Sequence, residues 1–356
     1  MTEQDSQEDG VDDLPVRHIF RWDLDKTYLR TEFDTIRDLI KTALQKPEEK
    51  VNVPGSVALL RELTRERDMS RVLVTFISGS PSQMRATLEK KFEIDGIKPD
   101  AFVLKPTLQN ILKGRFKAVR GQVGYKLDSL LRIRALSPTA PETMFGDDAE
   151  QDAFIYSLYA DLAAGRIDRE TLIDILEEAE VYEPTIESIL GGFEGMKVED
   201  TVQRIFIHLD RRSPPGRFWV FGPRVIPIAN YFQAALVLYD DGVLDMQGVL
   251  RVAAGMIEND DYGMLDLANS LQDLTRRRHV HVDALDRFIE ELDAFEGTMP
   301  LPTGFVQRLM TRVRALSPLS QAPDREWEGP VDYLEVLRAD RKLRESVQEK
   351  KSGLFS

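Results

Sequence analysis

The sequence predicts an α/β fold, in which a parallel sheet carries helices on both faces and is followed by a mostly α-helical C-terminal region. Short apolar or β-branched runs end in turn or polar residues, and amphipathic stretches at helical spacing separate them. Strands that alternate with helices in this way form parallel sheets that are covered on both faces. After Ile167 the helical spacing prevails, which predicts the helical region.

Four apolar runs are the predicted strands, and they occupy residues 18–22, 71–77, 101–104 and 143–146. Helical patterns lie between them, at residues 34–44, 56–65, 82–92 and 127–133. In a sheet of this kind, ligands bind beyond the carboxyl ends of the strands. Polar residues that follow these four runs are therefore the first candidates for a functional site.

The C-terminal half is predicted to be helical. Apolar residues recur at helical spacing over 198–209, and further helices are expected over 244–257, 285–295, 305–316 and 331–351. The apolar stretch 219–239 is interrupted by Arg224 and two prolines, so it is expected to be a buried helix and not a membrane span. The predicted domains are an acidic tail (1–14), an α/β domain (15–167), a helical domain of unassigned role (168–330) and a charged C-terminal helix or tail (331–356).

The composition excludes several classes of function. The 356 residues include 47 Lys and Arg against 61 Asp and Glu, and the resulting net charge of −14 argues against a nucleic-acid-binding protein. Cysteine is absent, which excludes disulfides, thiolate zinc sites and a cysteine nucleophile. The acidic start is unlike a signal peptide, and with no predicted membrane span it favours a cytoplasmic location.

The most informative string is Asp23-Leu24-Asp25-Lys26-Thr27, directly after the first predicted strand. An EF-hand calcium loop would need Gly at its sixth position and Glu at its twelfth, where this chain has Tyr28 and Asp34. Two interpretations remain. One is an acidic turn, and the other is a phosphoryl-transfer site with an aspartate nucleophile.

Residues at the other strand ends favour the phosphoryl-transfer interpretation. Ser78 and Gly79 end the second strand, and Lys126 lies in the helical pattern before the fourth. The fourth strand ends in an acidic cluster over 146–152. We expect these groups to meet at one edge of the sheet. Such an oxygen-rich site suits Mg²⁺, which binds a few carboxylates together with water and phosphate oxygens.

In this order, the motifs resemble those of the haloacid-dehalogenase superfamily of phosphohydrolases: DxDx[TV], a Ser or Thr, a Lys and GDxxxD. Within that superfamily the chain looks most like the phosphatidate phosphatase catalytic domain of the actin-patch-protein type, distantly akin to lipins. The similar segments are 53–63, 78–81, 125–128 and 145–156, and the resemblance covers about residues 17–167. Lys26 departs from the usual Asp or Gly, and a helix start at Asp168 stands where the family has a fifth strand.

The resemblance implies a mechanism and a set of site residues. Asp23 is expected to attack phosphorus, and Asp25 to serve as general acid and then as general base. The phosphate is expected to contact Thr27, Ser78, Gly79 and Lys126. The ligands of Mg²⁺ are expected to be Asp23, the carbonyl group of Asp25, Asp147 and Asp152, where Asp152 holds either a metal-bound water or Lys126. Asp148 could replace either of the last two.

The substrate and the partners are less closely specified. The short inserts leave room only for a minimal cap, so the site is expected to admit a bulky phosphate ester, phosphatidate among them. A basic stretch from Lys105 to Lys126 could hold the protein at an anionic membrane or could be a solvated face. An inactive scaffold and a phosphatase for nucleic-acid ends are the alternative functions, and the oligomeric state stays open.

Overall fold

The computed structural model describes residues 14–30, 46–65, 70–105, 120–295 and 329–353, with isolated positions between 301 and 315. Several predicted features lie outside the described residues. They are nearly all of the acidic tail, the helical pattern at 34–44, most of that at 305–316, and residues 106–119 of the basic stretch. Among the described residues, no helix is both long and apolar enough to cross a membrane.

In the described part of the chain, six parallel strands form one sheet. They are β1 (Val16–Asp23), β2 (Arg71–Pro81), β3 (Ala101–Lys105), β4 (Glu142–Asp147), β5 (Val202–His208) and β6 (Val225–Ile228). Their order across the sheet is β3-β2-β1-β4-β5-β6, and each neighbouring pair is parallel. Because β1 lies between β2 and β4, the carboxyl ends of these three strands meet at one edge of the sheet.

Helices cover both faces of the sheet. In chain order they are α1 (Ser56–Leu63), α2 (Arg85–Asp95), α3 (Arg120–Leu136), α4 (Asp152–Ala163), α5 (Arg169–Glu178), α6 (Glu183–Glu194), α7 (Tyr231–Asp240), α8 (Met246–Asn259), α9 (Met264–Arg276), α10 (Val282–Ala294) and α11 (Tyr333–Gly353). Buried residues of α1, α2 and α7–α10 pack with Trp22 on one face, and those of α3–α6 pack with Ile77 on the other. Side chains on the two faces of β2, β4, β5 and β6 thus enter two separate cores.

The predicted α/β class and the helical C-terminal region are confirmed, and the four predicted strands correspond to β1–β4. The helix predicted over 198–209 is wrong, because residues 202–208 form β5. Interior strands of a parallel sheet are apolar on both faces, so Ile205, Phe206 and Ile207 are all buried and give no alternating pattern. For the same reason the stretch 219–239, predicted as one helix, contains β6 before α7 begins.

Two helices follow Asp168, where the resemblance described above would place a fifth strand. Asp168 caps α5, since its side chain accepts a hydrogen bond from the backbone N–H of Thr171. Helices α5 and α6 then precede β5, which takes the fifth place in the sheet beside β4. Strands β5 and β6 both follow Ile167 and yet belong to the same sheet as β1–β4.

Candidate active site

The two aspartates of the early motif lie at the carboxyl end of the central strand. Asp23 is the last residue of β1 and is fully buried, while the intervening Leu24 enters the core. Asp25 lies in the following loop, where its Oδ2 accepts hydrogen bonds from the hydroxyl groups of Ser78 and Ser80, both at 2.9 Å. The structure therefore brings Asp25 and Ser78 together, and it adds Ser80, which the sequence analysis did not select.

Lys126 connects the motifs. Its side chain extends from α3 and is fully buried. The Nζ atom lies 2.7 Å from Asp23 Oδ1, 2.7 Å from Glu150 Oε2 and 2.5 Å from Asp152 Oδ1. One ammonium group thus contacts carboxylates from the end of β1, from the loop after β4 and from the start of α4.

The turn after β4 depends on a close approach between Gly146 and Asp152. A Cβ atom on Gly146 would lie only 2.5 Å from the Cβ of Asp152, so the position has no room for any side chain. Asp152 accepts a hydrogen bond from the backbone N–H of Asp147 at 3.1 Å, and Asp147 Oδ1 accepts from the N–H groups of Ala149 and Glu150. These bonds fold the acidic segment back over the strand end.

Four carboxylates converge at this edge of the sheet. Asp23, Asp147, Glu150 and Asp152 each offer an oxygen within 4.8 Å of the others. The carboxyl group of Asp25 is not part of this group. Glu150 was missed, although it lies within the acidic cluster that the sequence analysis had selected.

Asp148 has a different function from its neighbours. Its carboxylate accepts hydrogen bonds from the backbone N–H groups of Arg211 at 2.7 Å and Ser213 at 2.9 Å. Asp148 therefore anchors the loop after β5. The sequence alone had left open whether it could replace Asp147 or Asp152 in the carboxylate group.

Burial and neighbouring charges shift the pKa values of the buried groups at this site. Burial and the charges of Asp152, Glu150 and Asp147 raise the pKa of Asp23 well above its usual value, against the opposing charge of Lys126. Burial raises the pKa of Asp152 and the charge of Lys126 lowers it, and the net result is a pKa raised to about 6. Burial alone would lower the pKa of Lys126, but the three carboxylates outweigh it and raise that pKa well above its usual value.

The four carboxylates fit a divalent cation. One lysine cannot neutralise four carboxylates, and like charges so close together destabilise one another unless a cation or a proton intervenes. Asp23 Oδ2 and Asp147 Oδ2 are buried, and neither has a hydrogen-bond partner in the described part of the chain. Oxygen atoms in this state are suitable ligands for a hard cation such as Mg²⁺.

The remaining candidates, Thr27 and Gly79, also lie at this edge. Thr27 is fully buried, and its Oγ1 has no hydrogen-bond partner within the described ranges. Lys26, directly before it, has a φ of 60°, a left-handed conformation that glycine adopts more readily than residues with a side chain. Among the described residues, a Cβ atom at Gly79 would contact only the side chain of Gln122, at 3.8 Å, so their packing does not demand glycine there.

Two residues from beyond the predicted α/β domain also reach the early motif. The Nδ1 of His208 lies 2.9 Å from the carbonyl oxygen of Lys26, and the hydroxyl group of Tyr231 donates to the carbonyl oxygen of Thr27 at 2.6 Å. Burial lowers the pKa of His208, although the bond to Lys26 opposes this. Neither residue was predicted from the sequence, because His208 ends β5 and Tyr231 begins α7 just after β6, in segments that were predicted to be continuous helices.

The comparisons with known proteins agree with the motifs. Residues 22–172 match the family model described as phosphatidate phosphatase APP1, catalytic domain. No curated protein and no solved structure matches the chain significantly. The matched segment contains Asp23, Asp25, Ser78, Lys126 and the acidic cluster, and it ends within α5. Residues 22–172 are therefore similar to the phosphatidate phosphatase APP1 catalytic domain, in agreement with the resemblance that the motifs predicted.

Proposed function

We propose that this protein is a Mg²⁺-dependent phosphohydrolase that cleaves a phosphate monoester through an aspartyl-phosphate intermediate. The observation that carries the proposal is the position of Asp23, a buried carboxylate at the end of the central strand, 2.7 Å from Lys126. Asp25 lies two residues further on and is held by two serine hydroxyl groups. The family match supports the same reaction class.

In the first step, a carboxylate oxygen of Asp23 attacks phosphorus. The bond between phosphorus and the ester oxygen breaks, and the electron pair leaves with the alkoxide. Asp25 in its protonated form donates its proton to that alkoxide, so an alcohol leaves and the phosphoryl group stays on Asp23. The hydroxyl groups of Ser78 and Ser80 hold the Asp25 carboxyl group in a fixed orientation.

In the second step, a water molecule attacks the phosphorus of the aspartyl-phosphate. Asp25, now ionised, takes up a proton from this water, and the bond from phosphorus to Asp23 breaks to release inorganic phosphate. Lys126 offsets the negative charge on Asp23 and on the phosphoryl group, and Thr27, Ser78 and Gly79 are the proposed contacts of the phosphoryl oxygens. Phosphoryl transfer depends mostly on such positioning and charge neutralisation.

Mg²⁺, when bound, would neutralise the carboxylate group and the phosphate oxygens and so favour the approach of two anions. Asp23, Asp147 and Asp152 are the residues that would hold it, together with the carbonyl group of Asp25. Glu150 adds negative charge at the same place, and its contact with Lys126 links the metal site to the phosphate site.

Phosphatidate, or another phosphate monoester on a bulky lipid, is the proposed substrate class. The description of the matching family supports this choice. Contact with an anionic membrane surface through basic residues is part of the same proposal, and so is a cytoplasmic location.

The test compares the wild type with Asp23→Asn on p-nitrophenyl phosphate and on phosphatidate in mixed micelles, with Mg²⁺ or with EDTA. Turnover by Asp23→Asn should fall by about 10³-fold or more, because the nucleophile is lost. Asp174→Asn, an exposed position on α5, is the matched control and should keep full turnover.

Phosphate on Asp23 should be detected by mass spectrometry after acid quenching of the wild type. Retained turnover in Asp23→Asn would contradict the mechanism. A wild-type protein that hydrolyses no ester in the panel would favour the scaffold alternative.

A further inference from the structure

The catalytic loop, residues 24–29, is a tight turn with an unfavourable backbone conformation. The N–H of Lys26 donates a hydrogen bond to the carbonyl oxygen of Leu29 at 2.7 Å. The N–H groups of Tyr28 and Leu29 both donate to the carbonyl oxygen of Leu24. Lys26 has a φ of 60°, which residues with a side chain rarely adopt. Such a conformation persists only where the surrounding structure imposes it.

Two hydrogen bonds from outside the family match hold this loop. His208 Nδ1–H donates to the carbonyl oxygen of Lys26, since a carbonyl group can only accept, and the Tyr231 hydroxyl group donates to the carbonyl oxygen of Thr27. The two acceptors are consecutive carbonyl groups, and they follow directly after Asp25. Both donors lie C-terminal to residue 172, where the family match ends.

The two donors are themselves rigidly placed. His208 is the last residue of β5 and is paired in register with Asp147 on β4. Tyr231 is the first residue of α7 and is fully buried. Its ring stacks on His208 with centroids 5.9 Å apart and on Trp22 at 5.5 Å. Neither side chain can leave its position without disturbing the aromatic core beneath the site.

The region that follows the family match also fixes the segment around α1. Asp260, directly after α8, accepts a hydrogen bond from the backbone N–H of Gly55 at 2.8 Å. Arg251 on α8 pairs with Glu62 on α1 at 2.8 Å. Helix α8 therefore packs against the segment that follows the catalytic loop, and it does so through polar contacts as well as through the core.

We infer that His208 and Tyr231 are positioning residues for catalysis, which hold the Lys26 and Thr27 carbonyl groups and so keep Asp25 in line with the phosphoryl group. The inference rests on the proposed function. The C-terminal part of the chain would thus contribute to the active site, because both donors lie outside the segment that matches the family. Displacement of a catalytic group by about 1 Å can lower a rate about 100-fold, so two such bonds can control turnover.

The experiment uses the full chain and three variants. Tyr231→Phe removes one hydroxyl group, and His208→Gln removes the Nδ1 donor. His208→Asn restores it, because the asparagine side-chain nitrogen occupies about the place of Nδ1. The matched controls are Tyr239→Phe, at the other end of α7, and His279→Asn, in the turn after α9.

For Tyr231→Phe and His208→Gln, kcat on p-nitrophenyl phosphate should fall about tenfold or more, while KM changes less than about threefold. Hydrogen–deuterium exchange at the amides of Lys26, Tyr28 and Leu29 should accelerate about tenfold, as expected for the loss of one hydrogen bond. His208→Asn and both controls should match the wild type in both measurements.

The inference is overturned if Tyr231→Phe and His208→Gln behave like their controls in turnover and in exchange. It is also overturned if His208→Asn is as slow as His208→Gln, since the donated hydrogen bond would then not be the cause. The exchange measurement needs no enzymatic activity. Failure of the proposed function, seen as a wild type without turnover, is therefore distinguished from failure of the loop contacts.

Discussion

Substitution of Gly146 by alanine tests the geometry of the site most directly. The added Cβ would lie 2.5 Å from Asp152 Cβ, 2.6 Å from its Oδ2 and 2.9 Å from its Cγ. Ordinary contacts between carbon atoms are about 3.5–4.0 Å, so Asp152 and the start of α4 must move by about 1 Å. That movement breaks the bond from the Asp147 N–H and displaces the contact with Lys126.

The expected cost has two parts. Overpacking of a tightly packed position costs about 1–3 kcal/mol of unfolding free energy. Displacement of the carboxylate group by about 1 Å should lower kcat by about 100-fold. Urea unfolding and turnover of p-nitrophenyl phosphate with Mg²⁺ measure the two effects separately.

Gly191→Ala on α6 is the matched control, because a Cβ atom there would lie more than 4 Å from every neighbouring group in the described ranges. In a helix this exchange should stabilise the protein by about 0.5–1 kcal/mol and leave turnover unchanged. The reasoning is refuted if Gly146→Ala unfolds at the same urea concentration as the wild type and keeps its turnover. The close approach of Gly146 and Asp152 would then not constrain the site.

Two further predictions concern stability. At Lys26, where φ is 60°, Lys26→Val should be less stable than Lys26→Gly by about 2 kcal/mol in urea unfolding, because β-branched residues tolerate this conformation poorly; equal stabilities would show that the loop relaxes. Burial lowers the pKa of His18 from 6.5 to about 4. Below pH 6.5 this histidine is therefore protonated in the unfolded chain but stays neutral in the folded chain. The free energy of unfolding consequently decreases as the pH falls from 6.5 towards 4. The decrease in unfolding free energy from pH 7 to pH 5 should therefore be about 2 kcal/mol smaller in His18→Gln, which can retain the hydrogen bond to Thr143, than in the wild type. An equal decrease in both proteins would show that His18 does not cause this pH dependence.

The sequence by itself determined the α/β class, the first four strands and the residues that carry the candidate chemistry. Asp23, Asp25, Ser78, Lys126 and the acidic cluster each follow or precede a recognisable strand. Because the carboxyl ends of parallel strands meet at one edge, their order along the chain was enough to predict that they converge. The predicted convergence agrees with the contacts of Lys126 and with the distances among the carboxylates.

Only the tertiary structure decided which members of the acidic cluster act together. Asp147, Asp148, Glu150 and Asp152 lie within six residues, and their spacing does not show which side chain faces the site. The backbone N–H groups of the loop after β5 engage Asp148, whereas Glu150 turns towards Lys126. These partners come from 24 or more residues away in sequence, so no local pattern can indicate them.

The tertiary structure also decided the place of the C-terminal half. A strand buried on both faces has no alternating pattern, so β5 and β6 could not be told from helix by their spacing. His208 and Tyr231 are ordinary residues in the sequence and become neighbours of Lys26 and Thr27 only because β5 and β6 join the sheet. The candidate reacting groups could thus be selected from local sequence, whereas the groups that hold them in place depend on contacts between residues 182 and 204 positions apart in the chain.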